Sequence, residues 1–168
     1  TLFGRNSLDF TGFWFASTNN FSFLEDESTY FSGGEVGFEF GRTLHVGWAW
    51  QRSRDDIRAS ESGFRYDMRH RGFYMAVTPN PDRVFHPRLS VIAGTARVTL
   101  NNGDRDRVFA VTPAAGLELN LFRWFRLGME GGYRLVSTPD LPPLDGTKLS
   151  SPFLQLNLRF GYSWGYSW

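Results

Sequence analysis

The sequence predicts an all-β protein, a single domain over residues 1–168 folded as a closed antiparallel up-and-down β-barrel of about eight strands. Three observations carry this reading. Apolar and polar residues alternate with a period of two, which sorts neighbouring side chains onto the two faces of a strand. Longer and shorter connections alternate between these segments, as in a meander of hairpins. Composition agrees: aromatic residues make up 17%, with 17 Phe, 6 Trp and 6 Tyr, beside 18 Gly and no Cys. Such a chain favours strands and tight turns, and its sheet must hold without disulfides.

The elements follow in order. Residues 7–17 alternate around Leu8, Phe10 and Trp14. In 35–41, Val36, Phe38 and Phe40 oppose Glu35, Gly37, Glu39 and Gly41; in 44–51, Leu44, Val46, Trp48 and Trp50 oppose His45, Gly47, Ala49 and Gln51. Residues 64–77 begin with Phe64, Tyr66 and Met68 against Arg65, Asp67 and Arg69, then lose phase near Gly72, where a bulge is expected. Residues 88–100 read as a strand whose faces stay unassigned. In 109–121, Phe109, Val111, Ala115, Leu117, Leu119 and Leu121 oppose Ala110, Thr112, Gly116, Glu118 and Asn120. The last two strands are the clearest, with Phe125, Leu127, Met129, Tyr133 and Leu135 opposite Arg126, Gly128, Glu130, Gly132 and Arg134. Leu154, Leu156, Leu158, Phe160, Tyr162 and Trp164 then oppose Gln155, Asn157, Arg159, Gly161 and Ser163.

Polar or Pro/Gly-rich segments near 18–31, 53–62, 101–107 and 137–150 read as the longer loops. The links at 41–43 and 122–124 are short, and that near 79–87 is intermediate. Asn102-Gly103 is a favoured hairpin turn.

Alternation leaves open which face points outward, since a soluble ligand-binding barrel shows the same pattern inside out. Three features place the apolar face outside. Gly37, Gly47, Gly116, Gly128, Gly132 and Gly161 share the face that carries the charges, where they make room for long side chains in a narrow lumen. The opposite face is too bulky for that lumen, with Trp48, Trp50 and the leucines of 117–121 and 154–158. Aromatics gather at strand ends, so Trp48, Trp50, Trp124, Tyr162, Trp164 and Trp168 are expected to form interfacial girdles. The barrel is therefore expected to span a membrane, with a polar, Gly-rich lumen. No apolar run approaches the ~18 residues of a transmembrane helix, which does not bear on spanning strands. The start lacks the basic and apolar regions of a signal peptide, as expected of a mature chain. A net charge of +1 argues against a nucleic-acid partner.

The segments 125–135 and 152–162 resemble the closing hairpin of small outer-membrane barrels of the OmpA-transmembrane, OmpX and OmpW type. The resemblance covers the strand and loop rhythm of nearly the whole chain. It implies a location in the bacterial outer membrane and contact with membrane lipid, lipopolysaccharide and other outer-membrane proteins. Such families commonly end on an aromatic residue read by the insertion machinery. Trp168 would take that place, although the repeated Gly-Tyr-Ser-Trp ending departs from the usual terminal Phe.

The inward set Glu35, Glu39, Glu118, Arg126, Glu130, Arg134 and Arg159 carries both signs of charge and is expected to pair as a plug, because unpaired buried charge is costly and eight strands leave space only for side chains. Arg52, Arg54, Arg58, Arg65, Arg69 and Arg71 border an external loop. Of 18 basic residues only Lys148 is lysine, and Arg binds phosphate bidentately. Contact with lipopolysaccharide phosphates is one expectation, and pairing with Asp55, Asp56, Glu61 and Asp67 is the other. His45, His70 and His86 show neither metal-ligand spacing nor a Ser two residues away, and no catalytic or cofactor motif is read. Glu25, Asp26 and Glu27 form an acidic loop, and 101–106 reads as an ordinary turn despite a faint calcium-loop look. The leading expectation is a structural or interaction barrel, alone or as a subunit of a larger surface complex. A small channel for hydrophobic or ionic solutes, a lipid A-modifying enzyme and a soluble binding barrel are the alternatives.

Overall fold

A computed structural model describes residues 9–24, 27–54, 56–58, 65–138 and 150–164. The strands are β1 (Phe10–Leu24), β2 (Glu27–Phe40), β3 (Leu44–Ser53), the two-residue β4 (Ile57–Arg58), β5 (Arg65–Val77), β6 (Phe85–Leu100), β7 (Arg105–Phe122), β8 (Phe125–Val136) and β9 (Ser151–Ser163). Each long strand pairs antiparallel with its neighbours, β9 with β1 and β3 with β5, so eight strands close into a ring. The short β4 continues on β5 above the end of β3. Followed around the ring from Leu44, the register passes Leu89 and Leu154 to Tyr30. The carbonyl of Tyr30 accepts from the amide of Arg54, ten residues from the start. That stagger is what closing tilted strands requires.

The apolar face is outside. Phe13, Phe15, Val36, Phe38, Trp48, Leu117, Met129 and Leu154 are among the large apolar side chains exposed on the outer wall. A belt of this kind is stable only where the wall meets something apolar. At the short-turn end Phe122 stacks on Trp124, and Trp164 packs edge-on to Phe10. The turn between β2 and β3 has positive φ at Gly41 and Arg42, with the Thr43 amide donating to the Phe40 carbonyl at 3.2 Å. This is the mirror-image turn whose twist matches the strands it joins.

Several expectations are corrected. Residues 18–31 are not a loop, because β1 and β2 run through them with only 25–26 between. The segment looked polar because Thr18, Asn20 and Ser22 face the lumen. In β1 a bulge between Phe10 and Gly12 turns Phe10 outward and Trp14 inward, so the two do not share a face. No bulge occurs at Gly72, since β5 keeps unbroken register on both sides. Its phase seemed to fail because Tyr66 and Met68 face the lumen while Arg69 and Arg71 face out, and lower on the wall Phe73 and Met75 take the outward positions. In β6, Arg88, Ile92, Ala96, Val98 and Leu100 point inward. The 101–107 loop is shorter than expected. Its turn ends at Asp104, whose amide donates to Asn102 Oδ1 at 3.0 Å.

The lumen is not polar throughout. Near its longer-loop end Phe31, Ile57, Met68, Val98, Leu100 and Val136 belong to a buried apolar cluster. Gly37 and Gly47 act differently from expectation. A Cβ on Gly47 would lie 2.0 Å from the Val36 carbonyl oxygen, and one on Gly37 would lie 2.2 Å from that of Val46. These two residues pair directly. They let adjacent backbones approach in a sharply curved wall, rather than leaving room for arginines.

Candidate functional site

Two assemblies of charged side chains stand out, one inside the barrel and one on its outer wall. Inside, strand alternation sends Glu35 and Glu39 from β2, Glu118 from β7, Arg126, Glu130 and Arg134 from β8 and Arg159 from β9 into the lumen, where all seven are buried. Glu118 is the hub. Its Oε2 lies 3.0 Å from both Arg88 Nη1 and Arg159 Nη1, and its Oε1 lies 3.2 Å from His86 Nε2 and 3.8 Å from Arg126 Nη1. Arg88 Nε reaches Glu130 at 3.1 Å, and Arg126 Nη1 reaches Glu39 at 3.4 Å. Glu35 is the loosest member, 3.8 Å from Arg159.

Arg134 stands apart, one layer closer to the apolar cluster. Its guanidinium donates to Gln51 Oε1 at 2.9 Å and to Ser22 Oγ at 3.3 Å, and lies over the Phe31 ring at 4.3 Å. Amides continue this layer, with Gln51 donating to Gln155, Gln155 to Asn157 and Asn157 to Glu130, each at 2.8 Å. The lumen is thus stratified into an ionic lower part, an amide layer and an apolar cap. Sequence reasoning did not include Arg88 and His86, because the faces of β6 were unassigned. The Arg88 guanidinium also donates to the Tyr74 hydroxyl. His45 packs edge-on against Trp14, and His70 Nδ1 lies 3.5 Å from Thr112 Oγ1.

On the outer wall, Arg52, Arg69 and Arg71 face outward toward the longer-loop end, as does Arg65 at the start of β5. Arg54 is exposed there and donates to Ser32 Oγ at 2.5 Å. The side chain of Arg58 lies outside the described residues, as do Asp55, Glu61 and Trp168. Asp67 takes part in the basic group, 3.2 Å from Arg69 and 3.8 Å from Arg52. The structure adds residues that the sequence did not connect to these. Arg52 is the direct cross-strand partner of Arg69, Arg69 of Arg97, and Arg97 of Arg107. Of the aromatic set, Trp124, Tyr162 and Trp164 gather at the short-turn end. Trp50 adjoins Arg52, and Trp48 lies one step further down the wall.

No protein-family model matches this sequence, and no curated protein matches it. Solved structures do. Neisserial surface protein A superposes with a TM-score of 0.67 at 8% identity, covering 92% of this chain and 97% of that one. The fold is that of the small outer-membrane barrels. The N-terminal barrel of Pseudomonas aeruginosa OprF matches at 0.65 and 12% identity, over 90% and 97% of the two chains. Ail of Yersinia pestis matches at 0.60 and 10%, over 92% and 100%. At these identities the shared feature is the outer-membrane barrel architecture itself.

Proposed function

We propose that this chain is an integral barrel of the bacterial outer membrane with a sealed lumen, working through its outer wall and loops as a structural or interaction protein and not as an enzyme. The observation that carries this reading is the filled interior. Among the described residues four buried carboxylates meet the buried guanidiniums of Arg88, Arg126 and Arg159, with Arg134 in the amide layer above them and an apolar cap beyond. A continuous path for ions needs polar surface from end to end, whereas a constriction lined by apolar side chains excludes water and ions. The exposed aromatic and aliphatic belt and the girdle around Trp124 and Trp164 support a membrane-spanning wall. By the usual arrangement, the short turns lie on the periplasmic side and the longer-loop end faces outward. Outer-membrane lipid, lipopolysaccharide and neighbouring outer-membrane proteins are the partners this placement supplies.

The test is conductance in planar bilayers. The purified, folded barrel is expected to give no discrete current steps. Reproducible steps would overturn the sealed-lumen reading in favour of a small channel.

A further inference from the structure

We infer that the outer wall over β3, β5, β6 and β7 is a seat for one phosphorylated glycolipid, its phosphates held by Arg52, Arg69, Arg97 and Arg107 and an acyl chain in the aromatic groove below. The inference rests on the reading that this wall faces a membrane. It starts from the register. The four arginines form an unbroken cross-strand row over four adjacent strands, and Arg71 lies on the same wall opposite Trp50 and Thr95. Like charges directly opposite one another destabilise a sheet. Asp67 offsets part of this at Arg52 and Arg69, while Arg97 sits within the like charges of Arg107, Arg71, Arg105 and Arg69. An anion with several oxygens relieves the repulsion and matches the guanidinium fork.

A second, independent feature specifies a lipid. The arginines border a cleft of about 240 Å³ whose wall includes Trp50. From there β3 continues down the same face to Trp48, and β5 continues from Arg71 to Phe73. Trp48 and Phe73 line an apolar groove of about 760 Å³ together with Phe13, Phe15, Val36 and Phe38. Arg52 and Trp48 are four residues apart on one strand face, roughly 13 Å at about 3.3 Å per residue. A head that carries phosphate and a tail that needs an apolar trough therefore fit one continuous strip of wall. A soluble phosphate would leave the groove unused, and an uncharged lipid would leave the guanidiniums unneutralised.

The experiment uses the folded full chain in detergent micelles and reads retained ligand by native mass spectrometry. Three probes are added separately: bisphosphorylated lipid A, the same lipid after dephosphorylation, and inorganic pyrophosphate. One retained lipid A is expected, with apparent affinity at least tenfold above that of either other probe. Arg69→Gln combined with Arg97→Gln should lower lipid A retention at least tenfold. Trp48→Ala should weaken lipid A without changing retention of pyrophosphate. Each variant is checked for a mobility difference between boiled and unboiled samples on a detergent gel, and the wild-type comparison of the three probes needs no variant. Equal retention of both lipids, or pyrophosphate retained as well as lipid A, would overturn the inference. Either result would leave the sealed-barrel reading standing, because conductance tests that separately.

Discussion

Glu118 shows what a single residue does in this lumen. Fully buried, it takes two guanidiniums at 3.0 Å on one oxygen and faces His86 with the other. Glu118→Gln keeps the shape but leaves Arg88 and Arg159 without their shared counter-charge. Breaking a buried pair in this way costs about 3–5 kcal/mol, to be read from urea unfolding in lipid vesicles. Asp82→Asn is the control. It removes the bridge from Arg42 to a carboxylate that is 70% exposed, and exposed pairs contribute at most about 1 kcal/mol. Gly47→Ala tests the wall instead of the lumen. With a Cβ 2.0 Å from a backbone carbonyl, the strands must separate, at a cost of about 1–3 kcal/mol or more. That Glu35, Glu39, Glu118, Arg126, Glu130, Arg134 and Arg159 point inward was legible in the sequence from their place in the alternation, whereas the inward place of Arg88 and His86 on β6 was not. Nor was it legible which acid meets which base, since the partners come from strands far apart in the chain.

At the scale of the element, β7 and β1 mark the two extremes of legibility. The faces read for β7 between Phe109 and Asn120 are those of the structure, because its register irregularity falls only beyond Asn120 and outward-facing leucines oppose a polar lumen. The faces of β1 were not legible, because the extra residue near Thr11 shifts the phase. A one-residue slip exchanges the two faces of everything beyond it. In β5 and β6 the difficulty was environmental. Near the longer-loop end the inward positions become apolar and the outward ones basic, so the sign of the pattern reverses while its period holds. Depth on the wall has a measurable consequence along β7. Leu117→Arg, in the middle of the apolar stretch, should cost about 2–4 kcal/mol of stability in lipid vesicles, whereas Arg105→Leu near the rim should change it by about 1 kcal/mol or less. Equal costs at the two positions would contradict the assignment of the apolar belt.

For the whole molecule, closure of the ring governs behaviour. A closed sheet has no free edge and satisfies its backbone internally, which is the condition for standing in lipid. Unboiled samples on a detergent gel are therefore expected to migrate differently from boiled ones. Equal mobility, together with solubility free of detergent, would refute the membrane-spanning reading. The same closure sets the stagger of ten residues and thereby chooses which residues become neighbours around the wall. The guanidinium row follows from the registers of three successive pairings, β3 with β5, β5 with β6 and β6 with β7. Arg52, Arg69, Arg97 and Arg107 carry no shared motif, and the basic stretch readable in the sequence stopped at Arg71.

The sequence by itself determined an all-β barrel of about eight strands with its bulky apolar face outward and both signs of charge within. Those properties follow from side-chain period and from residue size, both of which act locally. The tertiary structure alone decided the apolar cap, the glycine-to-backbone contacts, the place of Arg88 and His86 in the lumen and the row of arginines outside. Each of these depends on how the strands are aligned with one another, and side-chain alternation shows the faces of a strand without showing its register against its neighbours.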